Sequence, residues 1–314
     1  MADSADRPLL SEQEEWPGSF GNWGRWDNDR GTLNLITPDR VLAGARAIRD
    51  GQTFAVSAPL SPEYYPEKLR QAQNFPAQGF EHEILNVTEF EPGKFAAGDR
   101  VTISVHSLEN THIDALSHVG HLGKSFNGTE FADIVTMERA HRFDLREVMS
   151  IATRAVLVDV PRIRGVEYLE PGDYVTQDDL EAGAPHIEPG DALLVRTGRW
   201  LAPRIFPDSP GASGDIHGDW AAMGVNAMRF VADHDVAVLG TDSVGDTFPL
   251  PFPDKPTIHI LAEVYLGMPL VHSLYLEDVA EAVTQDGRTE MFFCLGALHV
   301  AGGTGSPVTP LCIR

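Results

Sequence analysis

Cysteine is almost absent: the 314 residues hold two, Cys294 and Cys312. Two cysteines in so long a chain make no disulfide framework, so a reducing, cytoplasmic setting is expected. Cys294 lies in the apolar run Met291-Phe292-Phe293-Cys294-Leu295 and reads as a buried small hydrophobe. Long apolar runs are also missing. No stretch reaches the roughly 18 residues that mark a transmembrane helix. The start, Met1 to Asp6, is acidic and polar rather than basic then apolar, so no secretory leader is expected. Basic residues are scarce, 24 against 46 acidic, for a formal net charge of −22. Such a surface repels nucleic acid and anionic membranes, and neither is expected as a partner. No glycine-rich phosphate loop stands between a strand and a helix, and no internal repeat occurs. Gly302 to Ser306 is glycine-rich but has no helix after it, and it reads as a terminal loop.

What is present is a chain with 42% hydrophobic residues, enough for a substantial core. Residues 154–160 and 191–196 are continuous apolar runs, the pattern of strands covered on both faces. Strands are also expected at 53–57, 100–107, 236–240 and 290–299. In 100–107, Val101, Ile103 and Val105 alternate with Thr102, Ser104 and His106, which predicts a half-buried strand. Thr37-Pro38 opens a helix with an apolar stripe of Val41, Leu42, Ala45 and Ile48, ended by Gly51. Further helices are expected after the cap Thr176, over 226–234, over 259–266 up to Gly267-Met268-Pro269, and over 277–283. Residues 61–98 show no clear periodicity and read as a surface excursion. Strands alternating with helices indicate α/β architecture. No linker splits the chain, so one domain is expected over 22–314. An arm over 1–21 precedes it, with Trp16 and Phe20 docking on the domain or on a neighbouring subunit.

The densest chemistry lies in Thr111-His112-Ile113-Asp114-Ala115-Leu116-Ser117-His118. In an extended segment, residues two apart share a face, so His112 and Asp114 can aim at one point. An imidazole and a carboxylate together suit a divalent ion such as zinc or manganese. His118 follows within reach and could move a proton beside it. The competing reading is a turn rich in hydrogen-bonding residues. The loop Asn22 to Asn34 is dense in aromatic, polar and glycine residues. It is either a ligand-contacting loop or one that only packs.

This motif resembles the signature of the metal-dependent cyclase family, which includes bacterial kynurenine formamidase and isatin hydrolase. That signature has the form His-x-Gly-Thr-His-x-Asp-x-Pro-x-His, and the matching stretch here is Leu108 to His118. The run Gly123-Lys124-Ser125-Phe126-Asn127-Gly128 is similar to one in the longer members, as are Trp23-Gly24 and Gly31-Thr32-Leu33-Asn34. The resemblance spans residues 22 to about 285. It implies a mixed, barrel-like β-sheet surrounded by helices. It also implies late site residues, which fall on His259 and on His272, where the family has Glu or Gln. Imidazole can replace either as a ligand. Three departures stand out: Leu108 replaces the first signature histidine, Asn110 the glycine and Leu116 the proline. Losing the first histidine argues for one metal ion rather than two. His106 lies two residues before Leu108 and is set aside as a replacement. His121 and His217 are expected to be surface or loop histidines.

On this reading His112, Asp114 and His272 hold one manganese or zinc ion, His118 transfers protons, and His259 orients the substrate carbonyl or shuttles the proton. The substrate is expected to be a small amide, lactam or imide, cyclic or open, with Trp23, Trp26, Phe75 and Phe80 as candidate pocket aromatics. Two alternatives remain open at this level: a cyclase or dehydratase of a polyketide-like substrate, and a non-catalytic binding protein on the same fold. A homodimer or homotetramer is expected.

Overall fold

The two apolar runs form neighbouring central strands, and the rest of one sheet grows outward from them. The computed structural model describes residues 21–60, 80–107, 110–202, 220–246 and 256–314. The N-terminal arm up to residue 20, Phe75, Leu108 and His217 lie outside these residues.

The strands are β1 (Thr53–Ala55), β2 (Phe80–Glu91), β3 (Lys94–Ile103), β4 (His112–Asp114), β5 (Ser150–Asp159), β6 (Tyr174–Val175), β7 (Ala192–Arg196), β8 (Ala222–Met223), β9 (Val238–Thr241), β10 (Leu270–His272), β11 (Glu290–Gly296), β12 (Gly305–Pro307) and β13 (Leu311–Ile313). Nine of them make one curled, half-barrel sheet in the order β1-β13-β11-β5-β7-β9-β10-β4-β12. The pairs β5–β7, β7–β9 and β9–β10 are parallel, and the flanking pairs are antiparallel. The mixed, barrel-like α/β architecture expected from the sequence is the one observed.

Side chains of a strand alternate between faces, and both faces of this sheet are covered. Leu193 and Val195 of β7 enter one apolar core with Val158, Leu239 and Leu261. Ala192 and Leu194 enter the other with Leu157, Val238 and Phe293. That two-sided burial is why the β5 and β7 segments are apolar without alternation.

Several expectations need correction. The first helix, Pro38–Ala47, ends before Gly51 and buries Gly44 rather than the anticipated stripe. A Cβ at Gly44 would stand 2.7 Å from Phe292 and from the Thr153 backbone, so the helix lies too close to the sheet for a side chain there. Leu42 stays 52% exposed. Cys294 is only half-buried, while Cys312 is fully buried. Of the expected surface excursion over 61–98, residues 61–79 lie outside the described residues, and 80–98 lie at the surface but are regular: they belong to the β2–β3 hairpin, a separate two-stranded sheet. Its alternation is broken by a register shift between Ile84 and Asn86, which hid the period. Gly305 to Pro307 is not loop but edge strand β12, beside β4.

The N-terminal loop is pinned where the late helix ends. Thr32 N–H donates to Gly267 O at 2.8 Å, and Thr32 Oγ1 donates to Ala237 O at 2.7 Å. A Cβ on Gly267 would meet the Phe126 ring at 2.4 Å, and one on Gly31 would meet Gly267 O at 1.8 Å. Two of the segments that carry the family resemblance outside the motif, Gly31–Asn34 and Gly123–Gly128, therefore meet Gly267 at one close-packed junction.

At the C-terminal end of β7, Arg196 is 7% exposed and donates to Asp159 (2.8 Å) and Glu277 (2.6 Å), themselves 10% and 11% exposed. Removing the cation leaves two nearly buried carboxylates unpaired, a change that typically costs ~3–5 kcal/mol. Arg196→Met should therefore lower the urea unfolding midpoint sharply. A midpoint equal to that of the wild type would show that the triad adds nothing to stability.

Candidate metal centre

β4 is three residues long, and it lies between β10 and β12. His112 pairs directly with His272 on β10 and with Pro307 on β12. Asp114 pairs with Gly305. As the strand period requires, His112 and Asp114 face the same side, with His112 Nε2 3.6 Å from Asp114 Oδ1. His112 Nδ1 lies 2.8 Å from the Asn110 carbonyl oxygen. A carbonyl only accepts, so Nδ1 carries the proton and the Nε2 lone pair turns to Asp114. Metal-binding histidines are commonly oriented by such a bond.

Asp114 is the hub. Its carboxylate is fully buried, and His272 Nε2 stands 3.0 Å from Oδ2. His259 Nε2 lies 3.7 Å from the same oxygen. On the other side His106 Nδ1 donates to Oδ1 at 2.7 Å. The His106 ring lies flat on the His118 ring, with centroids 3.7 Å apart and planes within 5°. Five imidazoles thus surround one carboxylate. Among the described residues two overlapping groups have metal-ligand spacing, His106/His112/Asp114 and Asp114/His118/His259, and His272 belongs to neither.

The electrostatics follow from burial. Burial opposes the charge on Asp114, but His118, His112 and His106 outweigh it and hold its pKa well below the usual carboxylate range. Burial pushes His112 and His118 down to about 3, against the pull of Asp114. His272 is lowered for the same reason. His259 goes the other way, to about 9, because Asp246 overrides its desolvation. Asp246 accepts from His259 Nδ1 at 2.5 Å and from Ile258 N–H at 2.6 Å. His259 therefore presents an Nε2–H to the site.

The buried donor set fits a cation. His272 Nε2 stands 3.0 Å from Asp114 Oδ2, yet neither atom has a hydrogen-bond partner, nor has His272 Nδ1. An unsatisfied buried carboxylate oxygen beside an imidazole lone pair is costly unless a positive ion completes it. Neutral imidazole and carboxylate suit zinc or manganese.

The structure brings together all five residues singled out from the sequence: His112, Asp114, His118, His259 and His272. Three further groups join them: His106, set aside on the sequence, and Asp246 and Glu263, which the sequence does not point to. His106 enters because Asn110 ties the preceding turn back on itself, donating to Ser104 O and Val105 O at 3.2 and 3.0 Å. Asp246 has no local signal and is set by the fold. Glu263, one helical turn after His259, is fully buried. It accepts from Val119 N–H at 3.3 Å while its Oε1 stays unpaired. Burial and then Asp114 hold its carboxyl well above the usual range. Trp23 packs flat on Tyr265 with centroids 5.6 Å apart, and Trp26 packs against the Phe126–Phe143 cluster. His121 bonds the Tyr265 hydroxyl at 2.8 Å.

Comparison with known proteins places the chain in a family. The chain belongs to the putative cyclase family, whose model matches residues 52–245. Among solved structures, a novel cyclase is 26% identical with a TM-score of 0.80, over 94% of this chain and 98% of its own. An isatin hydrolase bound to the product analogue thioisatinate is 17% identical with a TM-score of 0.56, over 89% and 99%. A predicted metal-dependent hydrolase from Bacillus stearothermophilus is 18% identical with a TM-score of 0.50, over 84% and 99%. The latter two share the fold. Curated proteins give no match. Among the described residues no helix is long and apolar enough to cross a membrane.

These shifts set a stability profile for the metal-free protein. His112, His118 and His272 have folded pKa values below the free-histidine value of about 6.5. Their contribution is present above that value and is lost as pH falls toward the folded values. His259, raised to about 9, contributes fully below 6.5 and loses its share as pH rises toward 9. With chelator present, melting temperature should fall between pH 7 and pH 5, and less steeply in His118→Gln. Equal slopes in the two proteins would contradict the burial of His118 as a neutral ring.

Proposed function

We propose that this chain is a metal-dependent hydrolase acting on the amide, lactam or imide carbonyl of a small, cyclic substrate. The observation that supports it most is the buried Asp114 carboxylate with Oδ2 unpaired, ringed by imidazoles on both sides. A divalent zinc or manganese ion held by His112, Asp114 and His272 would lower the pKa of water from ~15.7 toward about 7 and stabilise charge on an attacked oxygen.

The remaining roles belong to the chain's own groups. Burial pushes the pKa of His118 to about 3, so its ring is neutral near pH 7 and would hold a proton only transiently, as a relay. The parallel His106 ring limits its rotation. After accepting the proton, His118 can pass it to the leaving nitrogen. His259, charged through Asp246, offers its Nε2–H to the substrate carbonyl and so orients it. Asp246 acts through His259 as a positioning residue.

Elemental analysis of the purified protein tests this reading. One ion per chain is expected, lost in a His112→Ala/Asp114→Ala double variant. Two ions per chain would mean that both overlapping ligand groups are filled and would remove His118 from proton transfer. His118→Ala should keep the metal yet lower kcat on a cyclic amide by roughly 10²–10⁴-fold. Turnover in ¹⁸O-water should place the label in the product. Turnover without label would favour the cyclase reading. Metal without turnover on any amide, lactam or imide would favour a binding protein.

A further inference from the structure

A groove beside the metal centre holds a guanidinium that no carboxylate of the described residues neutralises. The groove has a volume of about 840 Å³, within the ~300–1,000 Å³ of small-molecule pockets. Val101, Val105, Leu298 and Val300 give it apolar walls. Backbone bonds fix its frame. Gly302 N–H donates to Asp144 Oδ2 at 2.8 Å. Ala140 N–H donates to Gly302 O and Leu145 N–H to Gly303 O, both at 2.9 Å. Arg139 lines the groove and is held in place. Its N–H donates to Thr136 Oγ1 and its Nε to His141 Nδ1, both at 3.4 Å. Its stem lies on Gly302, where a Cβ would stand 2.7 Å from Arg139 Cβ and 3.3 Å from Cδ. The neighbouring Arg142 and Arg146 pair with Asp29 and Asp144. Among the described residues Arg139 pairs with no carboxylate. Glu138 lines the same groove, but its one hydrogen bond is made by its backbone. His106 also lines the groove, with its side chain 26% exposed. Its Nε2 accepts from Thr304 Oγ1 at 3.0 Å, and its Nδ1 donates to Asp114 Oδ1 at 2.7 Å.

We propose that this groove binds a small carboxylate with an apolar, ring-sized body. The body lies along the apolar walls, and the carboxylate accepts from the terminal nitrogens of Arg139. A chain of net charge −22 repels anions elsewhere on its surface. One anchored, unneutralised guanidinium beside apolar walls therefore selects them here. The bound molecule covers His106 and excludes water from the Oδ1 side of Asp114. That strengthens the pull of the carboxylate on a cation, so ligand and metal favour each other by the same factor. This coupling rests on the metal reading above, whereas the binding itself does not.

Titration calorimetry with naphthalene-2-carboxylate on the full chain, stripped of metal by chelator, tests the site. A Kd of about 1 mM or below is expected. 2-Naphthylmethanol, of similar shape but uncharged, should bind at least about tenfold more weakly. Arg139→Gln should bind the two probes alike, with an unchanged melting temperature. Glu138→Gln should bind the carboxylate at least as tightly as the wild type. No binding of the carboxylate, equal affinities for the two probes in the wild type, or an Arg139→Gln protein that keeps the wild-type preference would each overturn the site. Saturating zinc should tighten carboxylate binding about fivefold or more, and this gain should vanish in Arg139→Gln. A gain that survives in Arg139→Gln would put the carboxylate on the metal and overturn the coupling, as would equal affinities with and without zinc. A chain that takes up no zinc would fail the metal reading, while the metal-free titrations still decide the groove.

Discussion

The site is organised around one buried negative charge. Asp114 is wholly removed from solvent on a three-residue strand, where an ionised carboxylate is expensive unless compensated. Compensation comes from imidazoles, and imidazoles are weak sources of charge when buried. His112, His118 and His272 are each driven toward neutrality by desolvation. His259 is the exception, and its charge is shared with Asp246. The pocket therefore holds more unmatched lone pairs than protons, which is the condition a divalent cation relieves.

That requirement explains features of the frame. β4 can be short because β10 and β12 hold it from both sides and fix the His112–His272 pairing. Ser273, just after His272, adopts a left-handed conformation with φ 53°, rare for a residue with a Cβ. It is held there by Thr111 Oγ1 donating to its carbonyl at 2.6 Å and by its own N–H donating to Ser243 O at 2.9 Å. Gly245 has φ 81°, and a Cβ there would approach His272 Cε1 at 3.0 Å. The late helix winds as a π-helix over Ile260–Leu266, a form that concentrates at functional sites. It buries Glu263 one turn after His259.

The parts of this arrangement legible from sequence were those carried by short-range periodicity. The strand period put His112 and Asp114 on one face, and the continuous apolar runs marked β5 and β7. The family resemblance supplied His259 and His272. Long-range placements left no local trace. Asp246 reaches His259 through backbone geometry 13 residues away. In the sequence His106 stands two residues out of register with the missing signature histidine. Asn110, standing where the family has glycine, draws the turn back and carries His106 to Asp114. Such a compensation requires knowing where the side-chain amide of Asn110 points. The β2–β3 ribbon is illegible for a different reason: register shifts between Ile84 and Asn86 and between Glu89 and Glu91 break the alternation.

The ribbon and the metal centre are linked through β3. Its apolar alternation runs from Val101 to Val105 and leads directly into His106, which is 26% exposed while Asp114 beside it is fully buried. Solvent thus reaches the carboxylate's Oδ1 side most readily along the ribbon's base. Electrostatic interactions in the pocket strengthen as water is excluded, so what covers that base bears on how tightly Asp114 and its imidazoles hold a cation.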